Sequence, residues 1–213
     1  RSPRSFDNAI QTITTLKELE KNRKNFSVEI NVSISQENIQ NVLGFAKDLS
    51  PLQVPIKFNP VRGQDFGVYN LDKSIANAIN PKEQVFVSLE QLESLYFQLN
   101  QLNDNSKNIF WKELDKLTFR YTIDTIKHEK RMIGCHAGKV DGVIYENGDV
   151  SLCEFTKPIG NLRETDYDFH ALWNCQKANE MRQKTRKCAC IHGCNLASSL
   201  AHEPEVILGI TRA

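Results

Sequence analysis

The sequence predicts an α/β fold: a parallel helix–strand unit, a helical connector, and a small cysteine-rich domain made of one β-hairpin and helices. Three observations predict it. Helical and strand periodicities alternate from Ser5 to Pro60, the rhythm of a parallel sheet whose strands are joined by helices. Asn147-Gly148 stands between two β-prone runs, a strong short-range hairpin signal because a type I′ turn needs positive φ at both central residues. All six cysteines lie between Cys135 and Cys194.

Each element has its own signal. Phe6, Ala9, Ile10, Ile13, Leu16 and Leu19 recur at helical spacing while Lys17, Glu18, Glu20 and Lys21 fill the opposite face, which predicts an amphipathic helix from Ser5 to Asn22. Val28 to Ile34 alternates with period two and reads as a strand. Glu29, Asn31 and Ser33 share one face of it. In a barrel that face looks into a lumen, where polar residues hold a ligand; on an edge strand it is simply wet. Ile39, Val42, Leu43, Ala46 and Leu49 give a second helix stopped by Pro51, and Val54 to Asn59 a second strand entering Pro60-Val61-Arg62-Gly63. Residues 64–87 read as a loop with short helical pieces. Ser88 and Gln91 form a capping box ahead of a helix carrying Leu89, Leu92, Leu95, Tyr96, Leu99 and Leu102. A further helix runs from Asn108 to Lys130, with Ile109, Phe110, Leu114, Leu117, Tyr121 and Ile126 on its apolar side. A domain boundary falls near Arg131, where the composition turns to cysteine and glycine.

Composition narrows the function classes. With 40% hydrophobic and 25% charged residues, wholesale disorder is excluded. Lys plus Arg (27) against Asp plus Glu (26) leaves +1, so no global charge argues for nucleic acid or an anionic membrane. No apolar run approaches the roughly 20 residues of a spanning helix. Arg1 to Asp7 lacks a signal-peptide pattern and does not begin with Met, so the chain reads as a fragment or processed product. Cysteines crowded after a long cysteine-free stretch point to a thiolate-bound metal in a reducing, cytoplasmic setting, not to a disulfide scaffold.

The chemistry lies in two segments. Cys135 is followed by twelve residues, Gly148, four residues and Cys153, so the hairpin brings both cysteines toward one site. Cys188-Ala189-Cys190-Ile191-His192-Gly193-Cys194 follows, where spacings of one and three aim several thiolates at one centre and Gly193 permits a tight path. Such a set binds zinc or an iron–sulfur cluster. Cys175 is isolated and reads as a small buried hydrophobe. His136 and His192 flank candidate ligands without being read as ligands. The basic run Arg182, Lys184, Arg186 and Lys187 is either a peptide-binding patch or a solvated helix face that offsets the thiolates' negative charge.

Cys-x₁₂-Gly-x₄-Cys, continued by Glu154, Ile159-Gly160-Asn161-Leu162-Arg163, Leu172-Trp173 and the terminal Cys-x-Cys-x₃-Cys, resembles the SPASM/twitch domain of radical SAM enzymes. Residues 5–63 resemble the later half of the radical SAM barrel, on a Ser-Phe-led helix, the Asn31 strand with Asn38 after it, and the strand entering Pro60-Val61-Arg62-Gly63. The resemblance implies a division into a barrel part (1–63), a variable helical connector (64–130), an auxiliary-cluster domain (131–200) and a tail (201–213). It implies an auxiliary [4Fe-4S] cluster on Cys135, Cys153, Cys190 and Cys194, with Cys188 competing for a place, used for electron transfer or substrate anchoring. For the intact parent it implies S-adenosylmethionine, a second [4Fe-4S] cluster, a low-potential electron donor and a peptide or protein substrate. Asn31 and Arg62 become the candidate cofactor contacts, and Glu154 a candidate catalytic base, with a charge pair to Lys157 or Arg163 as its structural alternative. The Cys-x₃-Cys-x₂-Cys triplet that holds the S-adenosylmethionine-cleaving cluster is absent from these 213 residues, so the chain alone is expected to be inactive in radical chemistry. The alternative class is a stand-alone zinc-binding interaction module.

Overall fold

The computed structural model describes residues 4–61, 87–102, 108–186 and 188–211. Arg62 and the expected loop, up to residue 86, lie outside the described residues. Helix α1 (Ser5–Lys21) forms as its periodicity requires, yet none of its residues is buried. Its end is tied to the next strand by Glu20, which pairs with Lys17 at 2.5 Å and accepts the Val28 N–H at 3.2 Å. The Lys17 ammonium, as its hydrogen-bond donor, holds the Glu20 carboxyl below its ordinary value.

Strands β1 (Ile30–Ile34) and β2 (Ile56–Pro60) pair in parallel, Ile30 opposite Ile56 and Ile34 opposite Pro60. Helix α2 (Ile39–Leu49) makes the crossover. Asn38 fixes the turn into it, accepting from Ser35 N and donating to Ser33 O, both at 2.8 Å. Pro51 ends the helix in a 3₁₀ turn, Ser50–Leu52, as its missing N–H dictates. Glu29, Asn31 and Ser33 are exposed. Glu29 bridges to Lys57 at 2.7 Å, and Asn31 Oδ1 accepts from Asn59 Nδ2 at 3.2 Å. Among the described residues the parallel sheet consists of these two strands.

Helix α3 (Leu89–Asn100) starts on the expected cap, with Ser88 Oγ accepting from Gln91 N at 3.2 Å. Helix α4 (Ile109–His128) starts on Asn108, whose Oδ1 accepts from Trp111 N. Its first turn departs from the predicted apolar side: Ile109 is 71% and Trp111 51% exposed. The buried face begins at Leu114 and includes Thr122 and Thr125, whose hydroxyls donate back to Thr118 O and Tyr121 O.

Beyond Arg131 a second layer forms. Strands β3 (Val143–Ile144), β4 (Asp149–Ser151) and β5 (Gly160–Asn161) make a small antiparallel sheet. A 3₁₀ turn (Leu162–Thr165) and helices α5 (Phe169–Trp173), α6 (Gln176–Thr185), α7 (Gly193–Leu200) and α8 (Pro204–Thr211) follow. The hairpin is present but its turn differs from the two-residue type expected. Gly148 alone has positive φ, +92°, Tyr145 O accepts from Gly148 N, and Tyr145 N donates to Asp149 O. That is the three-residue loop with glycine in the left-handed position. Arg163 then clamps it, donating to the carbonyls of Asn147 and Glu146.

Three apolar cores result. One joins Val32 and Ile34 to α2, α3, Ile123, Ile126 and, from far along the chain, Ile191. A second packs Leu114 of α4 against Leu196 and Leu200 of α7. The third lies under the hairpin and contains Val150, Leu152, Phe155, Leu172 and four cysteines. No described helix is long and apolar enough to cross a membrane.

Candidate metal centre

The third core is where the chemistry collects. Cys135 enters from the segment after α4, Cys153 from the exit of β4, and Cys188 and Cys190 from the loop after α6; all four are buried in one cluster. Local bonds fix each approach. His136 N donates to Ser199 Oγ at 3.1 Å and His136 Nε2 meets Glu203 Oε1 at 2.9 Å, which holds the Cys135 segment on α7 and its C-terminal end. Thr156 Oγ1 accepts from Cys153 N and donates to Cys153 O, which folds the turn after β4 back on itself. Cys188 N donates to Thr185 O at the end of α6.

The other two cysteines sit elsewhere. Cys175 caps α6, its Sγ accepting from Ala178 N at 3.4 Å. Cys194 lies in the first turn of α7, exposed and outside the buried set. The resemblance pairs Cys190 with Cys194; the fold puts Cys188 beside Cys190 in the buried core.

Three of the four sulfurs are held as thiols. Burial pushes Cys135 and Cys153 above the ordinary thiol value. Cys188 is raised because its S–H donates to Cys190, with burial adding to this. The same bond, opposed by burial and helped by Arg131, pulls Cys190 down. Cys153 Sγ donates to Asn195 Oδ1 at 3.2 Å. Among the described residues, no three His, Cys, Asp or Glu side chains converge at metal-binding geometry.

Three residues that carry no motif of their own organise the surroundings. Arg131 is buried, with Nη1 3.9 Å from Cys190 Sγ and Nη2 donating to Asn195 O and Ser199 Oγ. Asn195 bridges Cys153 to Asp141, its Nδ2 donating to Asp141 Oδ2 at 3.3 Å. Ser199 serves both Arg131 and His136. A lone arginine after a helix has no periodicity or spacing that marks it; only its burial beside sulfur does.

Glu154 reaches across to His192, its Oε1 lying 2.7 Å from the ring Nε2. His192 Nδ1 accepts from Asn195 N at 3.2 Å, so for the neutral ring the proton sits on Nε2 and is donated to Glu154. Asn31 is exposed on β1 and accepts from Asn59. Of the basic run, Arg182 is structural, donating to Gly138 O and Trp173 O at 2.6 Å and lying over the Trp173 ring. Lys184 and Arg186 are exposed.

Residues 135–195 match the SPASM family, described as an iron–sulfur cluster-binding domain. The chain carries a SPASM domain. No curated protein and no solved structure matches the chain. The SPASM match begins at Cys135 and ends at Asn195, so all six cysteines and the bridging amide fall inside it. The donor set fits the group that the family binds. Four cysteines buried in one core suit the all-cysteine ligation of iron–sulfur clusters, and the Arg131 guanidinium stands 3.9 Å from one of their sulfurs to meet the negative charge that ligation brings.

Proposed function

We propose that this chain is the C-terminal portion of a radical SAM enzyme whose SPASM domain holds an auxiliary [4Fe-4S] cluster on Cys135, Cys153, Cys188 and Cys190. The observation that carries the reading is the burial of four cysteines in one core within residues 135–195, the span of the family match. When bound, the cluster supplies one-electron transfer or an iron site that anchors substrate. On this reading Cys188, the competitor, takes the place that the family resemblance gives to Cys194, since Cys188 is buried with the other three and Cys194 faces solvent. Glu154 orients the loop that carries Cys188 and Cys190: its carboxylate holds His192, and His192 caps the backbone of α7. On this reading Glu154 acts as a positioning residue through His192.

The β1-α2-β2 unit supports the barrel assignment for the first part of the chain, since a parallel pair with a helical crossover is the repeat from which such barrels are built. On this reading Asn31, exposed on β1, meets S-adenosylmethionine or substrate in the intact parent, and Arg62 remains the second contact that the resemblance names. That parent brings the second [4Fe-4S] cluster, draws on a low-potential donor, and modifies a peptide or protein in the cytoplasm.

Anaerobic reconstitution of the full chain tests the cluster. The expected product is brown and holds about four irons and four sulfides per chain. A colourless product with one tightly held zinc and no sulfide overturns the reading in favour of a zinc-binding interaction module.

A further inference from the structure

Resting on that cluster reading, we propose that Arg131 is a positioning residue that sets the cluster's reduction potential, acting as a fixed buried counter-charge to the thiolates. The side chain is 7% exposed, and a guanidinium does not give up its proton in a protein. Among the described residues it makes no ion pair with a carboxylate, and its Nε is buried with no hydrogen-bond partner. A buried, unpaired cation is costly unless something anionic compensates it. Cys190 Sγ lies 3.9 Å from Nη1; at Cys135, where burial dominates and the Asp141 carboxylate also disfavours the thiolate, Arg131 acts to favour it.

The geometry keeps that charge in place. Nη2 is held at two points on α7, by Asn195 O at 3.1 Å and Ser199 Oγ at 3.0 Å. Among the described residues of the basic run none replaces it: Lys184 and Arg186 stand in solvent, where screening is strong, and Arg182 is committed to Gly138 and Trp173. Reduction adds one electron from an external donor and no proton, so the reduced cluster is one unit more negative. A fixed positive charge at its edge stabilises that state more than the oxidised one and raises the potential.

The test uses the full chain, reconstituted anaerobically and titrated with dithionite, with the midpoint followed by visible absorbance and electron paramagnetic resonance. Arg131→Met and Arg131→Gln at native iron content are expected to have a lower midpoint than the native chain, while Lys184→Met leaves it unchanged. An unchanged midpoint in the Arg131 variants, or an equal drop in Lys184→Met, overturns the assignment. Should folded neutral variants take up no iron, uptake retained in Arg131→Lys supports the counter-charge, and loss in all three overturns it. Neutral variants that fail to fold without cluster, by far-ultraviolet circular dichroism, also overturn it by making Arg131 a fold residue. A native chain that binds no cluster at all fails the preceding reading; a native chain that binds one with an Arg131-independent midpoint fails this inference alone.

Discussion

Cys188 and Cys194 are six residues apart, and the backbone treats them oppositely. Cys188 ends the run from α6 facing inward with its S–H on Cys190, whereas Cys194 sits on the solvent side of the first turn of α7. A buried thiol that loses its proton must find a counter-charge or a metal, whereas an exposed thiolate has hydration as well. Alanine at Cys135, Cys153, Cys188 or Cys190 is therefore expected to abolish iron loading, and alanine at Cys194 or Cys175 to leave iron per chain at the native level. Iron and sulfide analysis of each reconstituted variant checks this, and retained loading in Cys188→Ala with loss in Cys194→Ala would reverse the ligand assignment. Cys135 and Cys153 are legible in the amino-acid sequence because a hairpin has a local signature. The choice between Cys188 and Cys194 is not, since three residues of spacing say nothing about which side of a helix start faces the core.

Elements are legible where their ends carry chemistry. Ser88 and Asn108 mark helix starts by hydrogen-bonding the third N–H beyond them, and Pro51 marks an end by lacking one. Contacts between elements carry no such mark, and Gly193 shows the difference. The sequence suggests a glycine that lets the chain turn tightly, yet its φ is not in the left-handed region. What the position requires is space: a Cβ there would lie 2.3 Å from Asn59 Oδ1 on β2. The start of α7 is thus seated directly on the parallel strand pair, next to the Asn59–Asn31 bond. Gly193→Ala is expected to destabilise the chain by about 1–3 kcal/mol, the usual cost of overpacking. Asn59→Ala removes the obstructing amide, so the double variant should recover most of that loss in urea unfolding. Additive costs would place the strain somewhere other than this contact.

At the scale of the whole molecule, the division near Arg131 follows composition but not packing. Between Cys190, buried under the hairpin, and His192, at the start of α7, Ile191 inserts into the core of the β1-α2-α3-α4 layer and is 3% exposed. Leu196 and Leu200, a turn or two later, pack on Leu114 of α4. One short segment therefore belongs to all three cores while carrying two proposed ligands, and anything that orders the ligands also orders the layer in front of them. A group that binds only the folded state raises stability through mass action, and it does so for every element that unfolds with its site. Cluster loading is expected to raise the midpoint of a single transition, seen equally in the far-ultraviolet signal of the helices and in visible absorbance of the cluster. Ile191→Ala tests the coupling at its narrowest point. It removes buried methylenes from the first layer, at a cost of about 2–5 kcal/mol, and should lower both signals together while reducing iron uptake. If the helical signal falls and the cluster midpoint stays where it was, the two layers unfold separately and the boundary at Arg131 is physical as well as compositional.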